Sequence, residues 1–71
     1  MQNEKEIPRL LTPREAASVL RLTKEHLANL RSAGTGPIYA KIGWRIFYLE
    51  STLIDYIQAR VIDPSHRGAR R

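Results

Sequence analysis

Apolar residues recur at helical spacing in two neighbouring stretches of the chain, residues 13–20 and residues 24–33. In each stretch they fall on one side of a helix, the pattern of an amphipathic helix packed against a core. The inward positions are Ala16, Ala17 and Leu20 in the first stretch and Leu27 and Leu30 in the second. Only residues 21–23 separate the stretches, so the pattern predicts two short helices joined by a tight turn.

Both predicted helices begin with cap residues. Thr12 is a good N-cap for the first helix, Pro13 suits its first position, and Glu15 completes a capping box. Thr23 takes the same role for the second helix. Gly34 then ends that helix, because glycine readily adopts the left-handed backbone of a C-terminal cap. These signals mark the starts of both helices of a helix-turn-helix and the end of the second.

The segment 38–50 alternates, is rich in β-branched and aromatic residues, and predicts a β-hairpin with Gly43 at its tip. A two-residue turn would pair Ile42 with Arg45 and split the apolar residues between the two faces. We favour a three-residue turn, 43–45, because one buried face fixes the register. The inward face would be Ile38, Ala40, Ile42, Ile46 and Tyr48, and the outward residues would be Tyr39, Lys41 and Phe47.

A last helix is predicted over 52–61, capped by Ser51 and stopped before the Asp63-Pro64 pair. Its core positions would be Leu53, Tyr56 and Ile57, with Ile54 half exposed. The order helix, helix, hairpin, helix predicts an α+β fold, a winged helix-turn-helix.

At 71 residues the chain is one small domain, and it has no cysteine for disulfides. We expect a flexible N-terminal arm over 1–10, the winged domain over 11–61 and a flexible basic tail over 62–71. No apolar run approaches the ~20 residues of a membrane span, and the first residues lack the apolar stretch of a signal peptide. A cytoplasmic protein with no membrane partner is expected, bacterial or phage-encoded and held at the nucleoid through DNA.

The charge is basic, with twelve Lys and Arg against seven Asp and Glu, a formal net charge of +5. Residues 12–61 alone hold seven basic and four acidic groups, so the domain is basic without its tail. Such a balance favours a polyanionic partner, a nucleic acid or a membrane surface. Combined with a helix-turn-helix, it predicts binding to double-stranded DNA.

The outward side of the second helix supplies the candidate base contacts. Asn29 can bind adenine bidentately or be an ordinary solvated surface residue, and we favour the contact with adenine. Glu25 can accept from cytosine N4 or simply complement the helix dipole. His26 would reach a phosphate or base, or stay solvated. Arg14, Lys24 and Arg31 suit phosphate contacts, and Ser32 offers a hydroxyl. The full candidate DNA-binding set is Arg14, Thr23, Lys24, Glu25, His26, Ala28, Asn29, Arg31, Ser32, Lys41, Trp44 and Arg45.

The predicted wing carries Lys41 and Arg45, with no acid between residues 35 and 49. These charges can follow the DNA backbone or enter the minor groove, which we favour, or they can simply keep the hairpin soluble. Trp44 at its tip is open to three interpretations. It can wedge against the minor groove, dock on a neighbouring copy, or fold back over its own hairpin. In the favoured register Tyr39 and Phe47 would form an exposed aromatic strip typical of a contact surface.

An enzyme is not expected, because two histidines, no cysteine and no clustered carboxylates offer neither a nucleophile–base pair nor a metal set. The chain also lacks a glycine-rich phosphate loop. We therefore predict no catalytic residues, no metal and no cofactor.

Three stretches, LLTPREAASVL (10–20), LRSAGTGPIYAKIG (30–43) and RIFYLESTLIDYI (45–57), resemble the excisionase/AlpA-like group of small winged helix-turn-helix proteins, distant kin of the MerR-type domain. The resemblance implies that residues 24–32 enter the major groove and the wing meets the minor groove or backbone. The chain departs from the family at Trp44 and Phe47, where basic residues are usual, and at Tyr56, where tryptophan is frequent. Unlike MerR-type regulators, the chain is expected to lack a dimerisation helix and a small-molecule effector.

Family members include phage or mobile-element excisionases, recombination directionality factors that bend DNA and direct a tyrosine integrase toward excision. Others are small transcriptional regulators of the AlpA type. A third hypothesis is a protein-interaction module, such as an antirepressor, that uses Trp44, Phe47 and Ile54. Because so small a domain buries little surface on DNA, we expect monomers that assemble cooperatively, head to tail, with neighbouring copies on the duplex.

Overall fold

The computed structural model describes residues 7–64. In chain order its elements are β1 (Leu10–Leu11), α1 (Pro13–Leu20), α2 (Lys24–Ala33), β2 (Tyr39–Ile42), β3 (Arg45–Leu49) and α3 (Glu50–Gln58). The strands form one sheet in the order β1-β3-β2, and both pairings are antiparallel. This is the expected α+β winged helix-turn-helix. The outer parts of the predicted arm and tail, residues 1–6 and 65–71, lie outside the described residues.

The starts of α1 and α2 follow the predicted caps. The backbone N–H of Glu15 donates to Thr12 Oγ1 over 3.1 Å, and the N–H of Thr12 donates to Glu15 Oε1 over 2.9 Å, a complete capping box. The N–H of His26 donates to Thr23 Oγ1 over 3.0 Å. At the other end of α2, Gly34 has a φ of 75°, the left-handed conformation that glycine adopts at little cost. All of these local predictions are confirmed.

The tight turn between the helices is closed by a residue other than glycine. Arg21 caps α1 with a φ of 63°, and its N–H donates to Ser18 O over 3.1 Å. The N–H of Leu22 donates to Ala17 O over 2.9 Å. These bonds satisfy carbonyls at the end of α1, and they hold Arg21 in a conformation that costs an L-residue about 1–2 kcal/mol. The turn therefore fixes the angle between α1 and α2.

The core lies between the two helices, β3 and α3. Its buried members are Leu11, Ala16, Ala17, Leu27, Tyr48 and Leu53. Leu20 and Ile46 pack against them while partly exposed, and Leu30 is also half-buried. The two small alanines leave room for Leu27, which is fully buried, so α1 and α2 pack closely. The predicted inward faces of both helices are confirmed.

The register predicted for the wing is wrong. Ile42 pairs with Arg45, so the turn consists of two residues, Gly43 and Trp44, rather than residues 43–45. Gly43 has a φ of 65°, and Trp44 is not among the residues with positive φ. Positive φ at the first turn position alone is the signature of a type II′ turn, which demands glycine there. Local turn geometry thus prevails over collecting every apolar side chain on one face.

This register changes which wing residues face the core. Tyr39 pairs with Tyr48 and Ala40 pairs with Phe47, so Tyr39 shares a face with the buried Tyr48 and Phe47 lies on the other face. Of the five residues expected inward, only Tyr48 is buried, Ala40 and Ile46 are half-buried, and Ile38 and Ile42 are exposed. Phe47 is half-buried, so the expected exposed aromatic strip does not form. The hairpin therefore has apolar side chains on both of its faces, each partly exposed, instead of on one buried face as we had favoured.

The last helix begins earlier and ends earlier than predicted, at Glu50 and Gln58 rather than 52 and 61. Ser51 is inside the helix, and Leu49 at the N-cap position makes no side-chain hydrogen bond. The Thr52 hydroxyl lies 2.9 Å from Leu49 O and 2.8 Å from Ile38 O, so a side chain within the helix ties its start to the wing. Leu53 is buried, Tyr56 half-buried and Ile54 half exposed as expected. Ile57 was expected in the core but is exposed, because it lines an open groove on the surface rather than the core.

The predicted arm extends one residue too far, since Leu10 belongs to β1. Leu10 and Leu11 pair with Leu49 and Tyr48, and the N–H of Glu50 donates to Arg9 O over 3.0 Å. A strand of two residues is too short to leave a periodic signal in the sequence. Its effect is to cover the second edge of β3, which therefore lies in the centre of the sheet.

Candidate nucleic-acid interface

One open groove of about 590 Å³ runs between the start of α1, one side of α2 and the start of β3. We call it the docking groove. Its lining residues are Thr12, Pro13, Arg14, Lys24, Glu25, Ala28, Arg31, Arg45 and Ile46. The groove brings together six of the candidate DNA-binding residues, from three separate segments of the chain.

The α2 side of the docking groove follows from helical spacing. Lys24, Ala28 and Arg31 are separated by four and three residues, so they form one row along the helix. Leu27 is fully buried on the adjacent side, and this packing fixes the rotation of α2 about its axis. The row therefore faces the groove because the core holds Leu27.

The docking groove carries four cationic side chains, Arg14, Lys24, Arg31 and Arg45, against one carboxylate, Glu25. In the part of the chain that the structure describes, Glu25 forms no ion pair with any of them. Among residues 7–64, no carboxylate forms an ion pair with these four cations, and their joint field attracts a polyanion. The Glu25 carboxylate stays available as an acceptor in the same groove.

Arg31 is held in place by two aromatic residues of the wing. Its Nη1 donates to Tyr48 Oη over 3.0 Å, and its guanidinium carbon lies 5.9 Å from the centre of the Tyr39 ring. Tyr48 is fully buried, so its hydroxyl is a rigid anchor. Arg31 is thus half-buried at the edge of α2 that faces the wing, and it keeps a defined direction at the groove.

Arg45 enters the docking groove from the wing. It is the first residue of β3, and its guanidinium carbon lies 5.0 Å from the centre of the Phe47 ring. Lys41 pairs with Ile46 and is exposed outside the groove. Trp44 also lies outside it, with 90% of its surface exposed. Trp44 therefore does not fold back over its own hairpin, which removes one of its three interpretations.

The remaining α2 candidates occupy other positions. Asn29 and Ser32 are exposed on the side of α2 directed away from Leu27, beyond the lining of the docking groove. Thr23 serves as the N-cap. His26 lines a different groove on the far side of α2, so the structure separates it from the other candidates.

That second groove, of about 440 Å³, lies between α2, the end of α1 and the end of α3. We call it the apolar groove. Its lining residues are Leu20, Leu22, His26, Leu30, Tyr56, Ile57, Arg60 and Val61. Arg60 stacks its guanidinium carbon 3.6 Å from the centre of the Tyr56 ring and donates from Nη1 to Tyr56 O over 3.1 Å.

Sequence reasoning missed several residues that shape the docking groove. Thr12, Pro13 and Ile46 line it, although we had assigned them only to capping and packing. Tyr39 and Tyr48 orient Arg31 from another element. No local signal in the sequence reports that role, because it depends on how the wing packs against α2.

The described residues contain neither a helix long and apolar enough to cross a membrane nor a group of three metal-ligating side chains. Comparison with known families finds that the model of a helix-turn-helix domain matches residues 10–61. The matched range includes all six elements of the fold. Comparison with curated proteins finds no significant match.

Proposed function

The chain belongs to the helix-turn-helix domain family of small excisionase/AlpA-like proteins, and from this premise we propose that it recognises a specific sequence in double-stranded DNA. Membership in the family indicates DNA as the partner. The observation that carries the proposal is the docking groove, where four cations from α1, α2 and β3 lie along one side of α2 and none is in an ion pair with a described carboxylate. A phosphate backbone is the ligand that such a groove fits best.

In the proposed complex, α2 lies in the major groove. Lys24 and Arg14 contact phosphates beside the start of α2, and Arg31 contacts the backbone on the wing side. Asn29, Glu25 and Ser32 are left to meet base edges, where an amide suits adenine and a carboxylate suits cytosine. Phosphate contacts thus set the position of the protein on the duplex, and the exposed polar side chains of α2 supply the sequence preference.

The wing extends the contact toward the neighbouring minor groove. Arg45 already faces the docking groove, and Lys41 adds a second cation on the opposite strand of the hairpin. Cations that draw the minor groove toward the protein favour bending of the duplex. We propose that DNA bending accompanies binding and that neighbouring copies bind side by side.

The proposed biological role is that of a phage or mobile-element excisionase, which bends DNA so that a tyrosine integrase favours excision. A small transcriptional regulator of the AlpA type would dock on DNA in the same way. Both roles are non-enzymatic, and neither uses a small-molecule effector. An excision assay with a tyrosine integrase from the same genetic element, run beside a reporter for that element's promoters, distinguishes the two roles.

A second candidate function, a protein-interaction module of the antirepressor type, is favoured by the 90% exposure of Trp44. Under this hypothesis the wing tip binds another protein, and the docking groove is not needed for that binding. Trp44→Ala would then abolish binding to the partner protein, whereas Lys24→Ala and Asn29→Ala would leave it intact.

Selection of bound duplexes from a random DNA pool tests the proposed function. The proposal predicts one enriched sequence, and sites repeated in tandem when long duplexes are used. Lys24→Ala should weaken binding to a duplex with a single copy of that sequence, whereas Arg60→Ala, a loss of charge in the apolar groove, should not. A pool that stays random after repeated rounds at low salt would contradict sequence-specific DNA binding.

A further inference from the structure

Two apolar features of the surface are separate from the docking groove. One is Trp44, whose 90% exposure is the highest among the large apolar side chains that the structure describes. The other is the apolar groove, on the side of the domain where α3 meets α2. Exposing so large an apolar side chain to water is unfavourable unless a partner covers it.

We propose that Trp44 of one copy inserts into the apolar groove of the neighbouring copy on the same duplex. The inference rests on the proposed DNA binding and names the contact through which neighbouring copies cooperate. The wing tip and the apolar groove are different patches of one molecule, so the contact is head-to-tail. A contact of that type does not close on itself, and it extends along a row of DNA sites.

The chemistry of the apolar groove suits an indole ring. Leu20, Leu30 and Ile57 offer apolar surface, and His26 offers a ring that can form a hydrogen bond with the indole N–H. Arg60 is already stacked against Tyr56, so an incoming indole meets a cation that an aromatic ring holds in place. Arginine next to the face of tryptophan is a favourable pairing.

The terminal segments of this chain do not suit the apolar groove. Residues 1–6 and 65–71 contribute only Met1 and Ala69 as apolar side chains. The remaining residues of both segments are polar, charged or glycine, and burying them against leucine and isoleucine would cost free energy. A second copy, which brings Trp44, is the better occupant.

The size of the contact explains why DNA is needed. A single tryptophan buries about 150–250 Å², whereas a stable protein–protein interface buries about 1,200–2,000 Å² in total. The contact is thus too small for a dimer in solution. On adjacent DNA sites the effective concentration of one copy near the other reaches about the millimolar range, where a small contact suffices.

Intrinsic fluorescence tests the contact, because Trp44 is the sole tryptophan of the chain. The probes are a duplex with one selected site and a duplex with two adjacent sites. We expect the emission to shift to shorter wavelength on the two-site duplex and to shift less on the one-site duplex. Equal emission on the two duplexes would overturn the proposal.

Variants locate both sides of the contact. Trp44→Ala and Ile57→Ser should each lower the ratio of two-site to one-site affinity about tenfold. Ile57 is exposed and distant from the docking groove, so Ile57→Ser should leave one-site affinity unchanged. Ile54→Ser is the matched control, because Ile54 is half exposed on the same helix but does not line the apolar groove. An unchanged ratio in both Trp44→Ala and Ile57→Ser would overturn the proposal.

Mixing the two variants tests the head-to-tail geometry. A pair formed by one Trp44→Ala copy and one Ile57→Ser copy keeps an intact tryptophan and an intact groove when the copies bind in one of their two orders. The mixture should therefore recover part of the cooperativity that each variant lacks alone. No recovery would overturn the head-to-tail contact. Failure of the unmodified protein to bind even the one-site duplex would instead contradict the proposed DNA binding itself.

Discussion

Arg31 and Tyr48 lie 17 residues apart in the chain and are joined by a hydrogen bond of 3.0 Å from Arg31 Nη1 to Tyr48 Oη. Arg31 belongs to α2, the proposed recognition helix, and Tyr48 belongs to the central strand of the sheet. The bond therefore connects the two parts of the domain that we propose to contact DNA. A guanidinium fixed before binding loses less conformational entropy when it meets a phosphate.

Tyr48→Phe tests this link. The substitution keeps the buried ring and removes the hydroxyl, so the guanidinium of Arg31 loses its anchor. We expect the free energy of unfolding to fall by about 1–2 kcal/mol and one-site DNA affinity to fall about three- to tenfold. Chemical denaturation and fluorescence anisotropy with a labelled duplex measure the two effects.

Tyr39→Phe is the control for Tyr48→Phe. The Tyr39 ring lies near Arg31, and the substitution keeps that ring while removing an equivalent hydroxyl. Stability and DNA affinity should both stay close to those of the unmodified protein. An equal loss of affinity in both variants would show that the Arg31–Tyr48 bond has no special role.

Local chemistry made the helix-turn-helix predictable. Thr12, Glu15 and Thr23 act through hydrogen bonds to residues three positions away, so the sequence alone places the starts of α1 and α2. Helical periodicity likewise identified Ala16 and Leu27 as core positions. Once α2 is oriented by Leu27, the side chains that face the docking groove follow from spacing.

The wing and α3 were less predictable because they depend on contacts between distant segments. Two registers of the hairpin satisfied the alternation of the sequence, and the turn preference of Gly43 decided between them. The start of α3 depends on Thr52, whose hydroxyl lies 2.8 Å from Ile38 O in the segment before β2. The position of His26 in the apolar groove follows from how α3 packs, which no local pattern reports.

The wing register predicts the effect of Gly43→Ala on stability. Gly43 has a φ of 65°, and a Cβ atom there would meet nothing within 4 Å. The cost is therefore conformational, and we expect the free energy of unfolding to fall by about 1 kcal/mol. Trp44→Ala, in the same turn, removes a side chain with 90% exposure and should change it by less than about 0.5 kcal/mol. Urea denaturation of both variants measures these changes. A larger loss of unfolding free energy in Trp44→Ala than in Gly43→Ala would contradict the two-residue turn.

Asn29 is expected to control sequence preference more than overall affinity. Its side chain is exposed on α2, so Asn29→Ala should leave the fold intact. If the amide binds adenine, the variant loses about 1–3 kcal/mol of discrimination at one base pair. Binding to a panel of duplexes with single substitutions measures this. The expected result is a relaxed preference at one base pair. A uniform loss of affinity across the panel would instead show that Asn29 contacts the DNA backbone.

The central claim is that the docking groove binds the phosphate backbone, and the salt dependence of one-site DNA binding tests it most directly. Four phosphate contacts predict a slope of log affinity against log salt of about −3.6 or steeper. Lys24→Gln should make the slope shallower by about one unit. Arg60→Gln removes the same charge from the apolar groove and should leave the slope unchanged. Identical slopes for the unmodified protein and Lys24→Gln, or an equal change in both variants, would contradict the account.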